Sequence, residues 1–309
     1  MHRTLPLLVL SLSTASLVAC DAVVPEPHDT PTERAHEPLD LDDWDDNELA
    51  FLKARGSLNP DEDVVFWWTG SIYLVQDADP FGPPVTDFPG PILRFEGFNI
   101  ARFEPVADGT RMVSREMALY QDVAGNRVDC WWNGNLGIDS PAPVPVVHVW
   151  NDPVNHTIGG ANYDELGDQI AFNTEIDLNY PSPLPLDSYP EYSQSNTYSG
   201  TELFNWYADR ADLEDPTLDS VPVAISWTRV GQLLPWMQAG QTEGKLVYHT
   251  RGRKLMGGFE DLPDHLKDLV LAEAPEYQTA PDVDLSPNAT SWRVFRSLVD
   301  SGEYSPSCG

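Results

Sequence analysis

Apolar and polar positions change rhythm at Asp63, and from there strand-like runs dominate the chain. Residues 64–75 are dense in aromatic and β-branched side chains, the composition of a pleated and largely buried strand. Residues 92–103 alternate. One parity carries Ile92, Arg94, Glu96, Phe98, Ile100 and Arg102, and the other carries Leu93, Phe95, Gly97, Ala101 and Phe103. Both faces hold apolar residues, but only one holds charges. Phe98 and Ile100 on the charged parity point that parity inward, where Arg and Glu would pair across strands around a polar cavity. Residues 111–121 and 126–132 read as a hairpin around Asp122-Val123-Ala124-Gly125-Asn126. Runs at 144–151, 169–178, 199–207, 222–230 and 245–251 bring the total to about nine or ten strands.

Helical signals frame this run. Residues 42–56 open with acids, end with Lys53 and Arg55, and are followed by Gly56, matching the macrodipole and a C-cap. The acids there lack the alternating Asp/Gly pattern of a calcium loop, so they read as a helix N-terminus. A later helix starts at Pro263, with Leu262, Leu266, Leu269 and Val270 on one face. Residues 291–299 form another, aligning Trp292, Phe295 and Val299. Strands in sequence with no βαβ rhythm favour antiparallel pairing, and so many strands curl or close to remove exposed edges. The expected fold is mainly β with minor α. It is an antiparallel up-and-down β-barrel or strongly curved sheet, calycin-like, with short flanking helices. A two-sheet sandwich is the alternative. One β-rich domain spans 41–309.

Charge narrows the partners. Lys+Arg number 18 against 49 Asp+Glu, a net charge of −31. Such a surface does not neutralise phosphates, which argues against nucleic acid, and it disfavours adsorption to anionic lipid. The only expected membrane link is covalent. Residues 1–19 carry Arg3, an apolar run and then small residues, a lipoprotein signal peptide. Leu17-Val18-Ala19-Cys20 resembles a lipobox, with Cys20 lipidated as the mature N-terminus. The protein would then be exported and anchored on the periplasmic side of a bacterial membrane or at the cell surface. Residues 20–40, acidic and Pro-rich, read as a disordered tether. Cys130 and Cys308 remain, and an oxidising periplasm permits them to pair. No CxxC or Cys/His spacing points to a metal. No Walker loop, dinucleotide fingerprint or Gly-x-Ser-x-Gly points to a cofactor or serine nucleophile.

Three stretches carry candidate chemistry. Tyr248-His249-Thr250-Arg251-Gly252-Arg253-Lys254 concentrates cations in an acidic chain, and arginine forks suit carboxylate or phosphate. Internal pairing with acids is the plainer reading. Arg94, Glu96 and Arg102 would line a barrel together with Trp68, Phe98 and Tyr120. Trp150-Asn151-Asp152-Pro153-Val154-Asn155-His156 reads as a turn in which Asp152 orients His148, His156 or His249.

These blocks are similar to a bacterial family catalogued as domain of unknown function 1838. The resemblance runs over about residues 45–296. It rests on Lys53-Ala54-Arg55-Gly56-Ser57-Leu58, Phe95-Glu96-Gly97-Phe98, Val149-Trp150-Asn151-Asp152-Pro153-Val154-Asn155, Asp212-Leu213-Glu214-Asp215-Pro216, Ser226-Trp227-Thr228-Arg229-Val230-Gly231 and Thr290-Ser291-Trp292. It implies no activity and no catalytic residue. The leading expectation is therefore built from the residues. An aromatic-lined barrel binds a small amphiphilic anionic ligand, whose acid group is held by Arg251, Arg253 or Arg94. The alternative is an enzyme pairing His249 or His148 with Glu96 or Asp152 for hydrolysis, isomerisation or cyclisation. The third is a structural envelope protein without a ligand. Nothing in the pattern sets an oligomeric state.

Overall fold

The alternating runs assemble into one nine-stranded sheet. The computed structural model describes residues 38–76, 90–106, 109–240, 242–282 and 286–308. The signal segment 1–19, the lipidation candidate Cys20 and all but the last residues of the tether lie outside them. Helix α1 (Trp44–Arg55) precedes β1 (Val64–Val75), β2 (Leu93–Val106) and β3 (Gly109–Gln121). A small hairpin of β4 (Cys130–Trp132) and β5 (Pro143–Pro145) stands apart. Then come β6 (Val149–Ile158), β7 (Asn162–Leu166), β8 (Gln169–Pro181), β9 (Thr197–Asp209) and the short α2 (Arg210–Glu214). The chain ends with β10 (Ala224–Gly231), β11 (Lys245–Leu255), α3 (Asp264–Glu273) and α4 (Ser291–Ser301).

The strand order is β6-β3-β2-β1-β11-β10-β9-β8-β7, with every pairing antiparallel. Consecutive strands β6 and β7 occupy opposite edges, yet only residues 159–161 join them. Four Cα steps reach at most about 15 Å. The two edges are thus drawn towards each other, and the sheet curls into a half-barrel that stops short of closing. The strongly curved sheet is the expectation that holds; the sandwich does not form.

Each end of the concave face is filled. At one end α1 inserts Ala50, Phe51 and Ala54 among Phe66, Phe103, Phe172 and Trp206. Its start is capped by Asp43, whose side chain accepts from Asp45 and Asp46 N–H, and its cations lie in the last turn. At the other end α4 and the turn at Pro235–Met237 bring Trp292, Phe295 and Trp236 against Tyr120, Tyr198 and Tyr248. A disulfide between Cys130 and Cys308, Cα atoms 6.2 Å apart, ties the C-terminal segment to β4. Part of the convex face is covered by α3, which together with the preceding Leu262 lays Leu266 and Val270 over Phe98, Ile100, Met117 and Leu119.

That cover reverses one expectation. The parity Arg94, Glu96, Phe98, Ile100, Arg102 faces outward, and Phe95, Gly97, Asn99, Ala101 and Phe103 face the concavity. Phe98 and Ile100 are buried because α3 lies on them. The hairpin around 122–126 forms but is short: Gln121 bridges Arg127 antiparallel, and Val128 N–H donates to the Tyr120 carbonyl at 3.1 Å. Asp122 Oδ1 accepts from Ala124 and Asn126 N–H at 2.9 Å, but β4 then pairs with β5 instead of β3. Asn151-Asp152-Pro153 is not a turn but the middle of β6, opposite an irregularity at Ser114/Glu116, with a cis Asp152–Pro153 bond.

Lys254 also leaves the cationic edge. It is 5 % exposed, and its Nζ donates to the carbonyls of Lys53 and Gly56 at the end of α1. Lys53, itself buried, donates to the carbonyls of Asp212, Leu213 and Asp215. The two ammoniums satisfy helix-end carbonyls that water does not reach. Burial lowers Lys254 to about 7, and burial lowers Lys53 in the same sense. An unfolded lysine titrates near about 10.4. Between those values the folded state binds fewer protons, so stability is lowest below about pH 7 and rises as pH climbs. Urea midpoints are expected to increase from about pH 7 to about pH 9.5, and Lys254→Met is expected to flatten most of that slope. An unchanged slope in the variant would refute the assignment.

Candidate functional site: a polar row in an aromatic half-barrel

Between the two filled ends the concave face stays hollow. An inner cavity of about 160 Å³ opens into a vestibule of about 410 Å³. The vestibule exists because β7 is short. It pairs only with residues 169–173 of β8, and the vestibule runs between the rest of β8 (Thr174, Leu178, Tyr180) and the facing part of β6 (Val154, His156, Ile158).

Strand register sets the polar groups. Phe66, Asn99, Glu116 and Asn151 are successive cross-strand partners on β1, β2, β3 and β6. Asn151 Nδ2 donates to Glu116 Oε2 at 3.2 Å. On the other arm of the sheet, Arg229 of β10 sits in register with Glu202 of β9, and the charged groups approach to 3.3 Å. Arg229 also donates to Tyr198 Oη and lies 5.7 Å from the Tyr248 ring. Trp227 stacks on Phe204 at 5.7 Å, and Phe204 stacks on Trp206 at 5.4 Å, giving a continuous aromatic wall. Gly97, in register with Trp68, keeps β2 tight on β3; an added Cβ would meet the Met117 carbonyl at 2.1 Å.

Arg55, the last residue of α1, enters this wall from the filled end. Its guanidinium lies 4.7 Å over the Trp206 ring and 5.6 Å from the Phe66 ring, and donates to Met112 Sδ at 3.1 Å. Among the described residues no carboxylate comes within 4.0 Å of it. Burial lowers Arg55 to about 10, with Glu116 opposing only in part. Burial raises Glu116; Glu202 adds to the rise, while Asn151, Arg55 and Arg229 pull it back. Burial raises Glu202 as well, against the pull of Arg229. Burial disfavours the Arg229 cation, but Tyr198, Glu202 and Tyr248 outweigh it and keep the guanidinium charged. Tyr120 is pushed up to about 12 by burial, and burial also raises Tyr248 well above the ordinary phenol range, so both phenols stay neutral.

Several polar atoms in this wall have no protein partner among the described residues. They are both amide atoms of Asn99, Asn151 Oδ1, and the indole Nε1 of Trp68 and Trp227. Buried polar atoms are ordinarily paired, so these are places for a ligand or water to bond. The cavity thus offers an unpaired cation, two carboxyls inclined to hold protons, and open donors and acceptors on an aromatic surface.

The residues expected from the sequence divide over both faces. Trp68 and Tyr120 line the cavity. Arg94, His249 and Arg251 line one groove on the convex face, and Arg253 lies over the Trp67 ring on that face. Phe98 is under α3. Glu96 is outside as well, accepting from Trp67 Nε1 and Gln121 Nε2, and the histidine that meets it is His265, at 2.9 Å. Arg102 binds Asp63 at 2.6 Å. Asp152 accepts from Arg115 at 2.9 Å rather than from a histidine. His148 is buried, its Nδ1 accepting from Tyr120 N–H at 3.1 Å, while its Nε2 lies 3.1 Å from Arg127 Nε and 3.4 Å from Asp129 Oδ1. Burial and Arg127 lower its affinity for a second proton. His156, exposed to solvent, lines the vestibule. Among the described residues no three His, Cys, Asp or Glu side chains gather as a metal-binding group.

Arg55, Asn99, Glu116, Asn151, Glu202 and Arg229 were missed as a site. A signal existed for two of them. Arg229 shares its parity with Ile225 and Trp227, and Glu202 with Phe204 and Trp206. A charge on an aromatic parity is a charge facing a core.

No curated protein matches this sequence. Residues 61–299 match the model of a family described as protein of unknown function, DUF1838, and the chain belongs to that family.

Proposed function

We propose that the half-barrel binds a small amphiphilic anionic molecule. Its acid group sits at Arg55, and its apolar body lies along the wall of Phe204, Trp206 and Trp227. The observation that carries this reading is the half-buried Arg55 guanidinium, packed on aromatic rings with no carboxylate within 4.0 Å among the described residues. A buried charge without a counter-ion is costly, and an entering anion supplies the missing partner. The orphaned Asn99 amide, 3 % exposed, supports a second polar group on the ligand. The anchor is thus Arg55 in place of Arg94, Arg251 or Arg253.

The same reading places the protein outside the cytoplasm, lipid-anchored through Cys20 and its tether. The Cys130–Cys308 disulfide supports an oxidising compartment. Native mass spectrometry of protein released from its own host envelope tests both parts. The expected spectrum carries a diacylglyceryl-type mass on Cys20 and a non-covalent acidic ligand. Unlipidated protein would sink the anchor. An empty cavity that also rejects anilinonaphthalene sulfonate would sink the binding reading.

A second reading is acid–base catalysis on the bound molecule. Glu116 favours it: a carboxyl whose proton affinity burial raises, opening on the cavity between Asn99 and Asn151. Glu116→Gln is expected to retain the co-purifying molecule and abolish its conversion. Loss of binding with no turnover in the parent protein would leave binding as the sole role.

A further inference from the structure

The convex face carries an independent cluster. Its centre is β1, whose outward residues Thr69 and Ser71 have short hydroxyl side chains. Ser71 lies in register between His249 of β11 and Arg94 of β2, and Thr69 lies beside Arg251. Short side chains on the middle strand, between long ones on both neighbours, leave a groove of about 210 Å³. Its walls are Arg94 on one side and His249 with Arg251 on the other. Arg253, one register step further, adds a third guanidinium over Trp67.

The charge here runs against the rest of the molecule. The chain has 49 acids for 18 cations, yet among the described residues neither Arg94 nor Arg251 has a carboxylate within 4.0 Å. Glu96 stands opposite Thr69, but its two oxygens accept from Trp67, Gln121 and His265. The sheet itself separates this groove from the concave cavity.

We infer that the groove binds a tetrahedral oxyanion, the phosphate or sulfate group of an ester. Guanidinium forks from two sides match such a group bidentately, the Ser71 and Thr69 hydroxyls lie at its base, and His249 closes the wall. The net charge of −31 does not forbid this, because salt screens distant acids beyond about 8–10 Å. The same chemistry is presented by the headgroup phosphate of an anionic lipid and by a free phosphate monoester.

The full-length protein would be titrated at about pH 7 and low salt, following the His249 imidazole resonances. The probes are inorganic phosphate, glycerol phosphate and dihexanoyl phosphatidylglycerol below its micelle concentration. A saturable shift is expected. It should weaken at least tenfold in Arg94→Gln/Arg251→Gln, survive in Arg55→Met, and fade with added salt. Tenfold tighter binding of the short-chain lipid assigns a headgroup, and the reverse order assigns a soluble monoester. No saturable shift up to about 50 mM of any probe overturns the site, since convergent charge-assisted contacts saturate well below that. A shift abolished by Arg55→Met but intact in the double variant also overturns it, because the anion would then occupy the cavity. Arg251→Gln alone, at an exposed position, serves as the milder variant if the double one unfolds.

Discussion

Arg55→Met is expected to stabilise the ligand-free protein by about 1–2 kcal/mol and to weaken binding of an anionic probe at least tenfold. Two opposing quantities set the first figure. Lowering Arg55 to about 10 corresponds to roughly 3 kcal/mol against the cation in its present surroundings. The contacts with Trp206 and Phe66 return about 1–2 kcal/mol of that. Methionine keeps a flexible apolar stem in the same space and leaves no charge to desolvate. The second figure follows from chemistry: the guanidinium supplies charge-assisted hydrogen bonds to the anion, and methionine offers no donor in their place. Chemical denaturation of the apo protein and fluorescence titration with anilinonaphthalene sulfonate measure the two effects separately. A loss of stability with unaltered probe affinity would make Arg55 a structural cation and remove the anchor.

The strands were legible because their alternation is strong, and the curl was legible because so many strands in series must manage their edges. What alternation did not reveal was which face is which. On β2 both parities are buried, one by the concave core and one by α3. The apolar face of α3 is legible in Leu266, Leu269 and Val270, with Leu262 just ahead of it, but a sequence does not say which sheet face receives it. Arg94 and Glu96 were therefore placed inside on the strength of Phe98 and Ile100, which owe their burial to the helix. Arg55 was hidden for a different reason. A cation in the last turn of a helix is fully explained by the macrodipole; only the docking of α1 into the half-barrel turns it towards a cavity. The stretch from Trp227 to Lys254 shows the same limit. Its side chains divide three ways: Trp227, Arg229 and Tyr248 to the cavity, His249 and Arg251 to the outer groove, and Lys254 to the carbonyls behind α1.

Arg229→Leu is expected to cost about 3–5 kcal/mol at neutral pH, the largest effect of any single substitution in the cavity. The guanidinium is the one cation that reaches Glu202, at 3.3 Å among the described residues, and it also serves Tyr198 Oη. Removing it strands a carboxylate whose side chain is only 15 % exposed. The pH dependence gives the mechanism away. Burial already raises Glu202 while Arg229 pulls it back, so the variant raises it further. A carboxyl whose folded pKa exceeds its unfolded value of about 4.3 contributes stability that is complete below that pH and lost as pH rises through the folded value. The deficit of Arg229→Leu should thus be small near pH 4 and grow towards pH 7. Arg229→Leu/Glu202→Leu removes both charges and should recover most of the loss, since apolar replacement of a whole buried pair is often neutral or better. A deficit independent of pH, or a double variant as unstable as the single one, would show that packing on Tyr198 and Tyr248, and not the ion pair, holds this arm of the half-barrel.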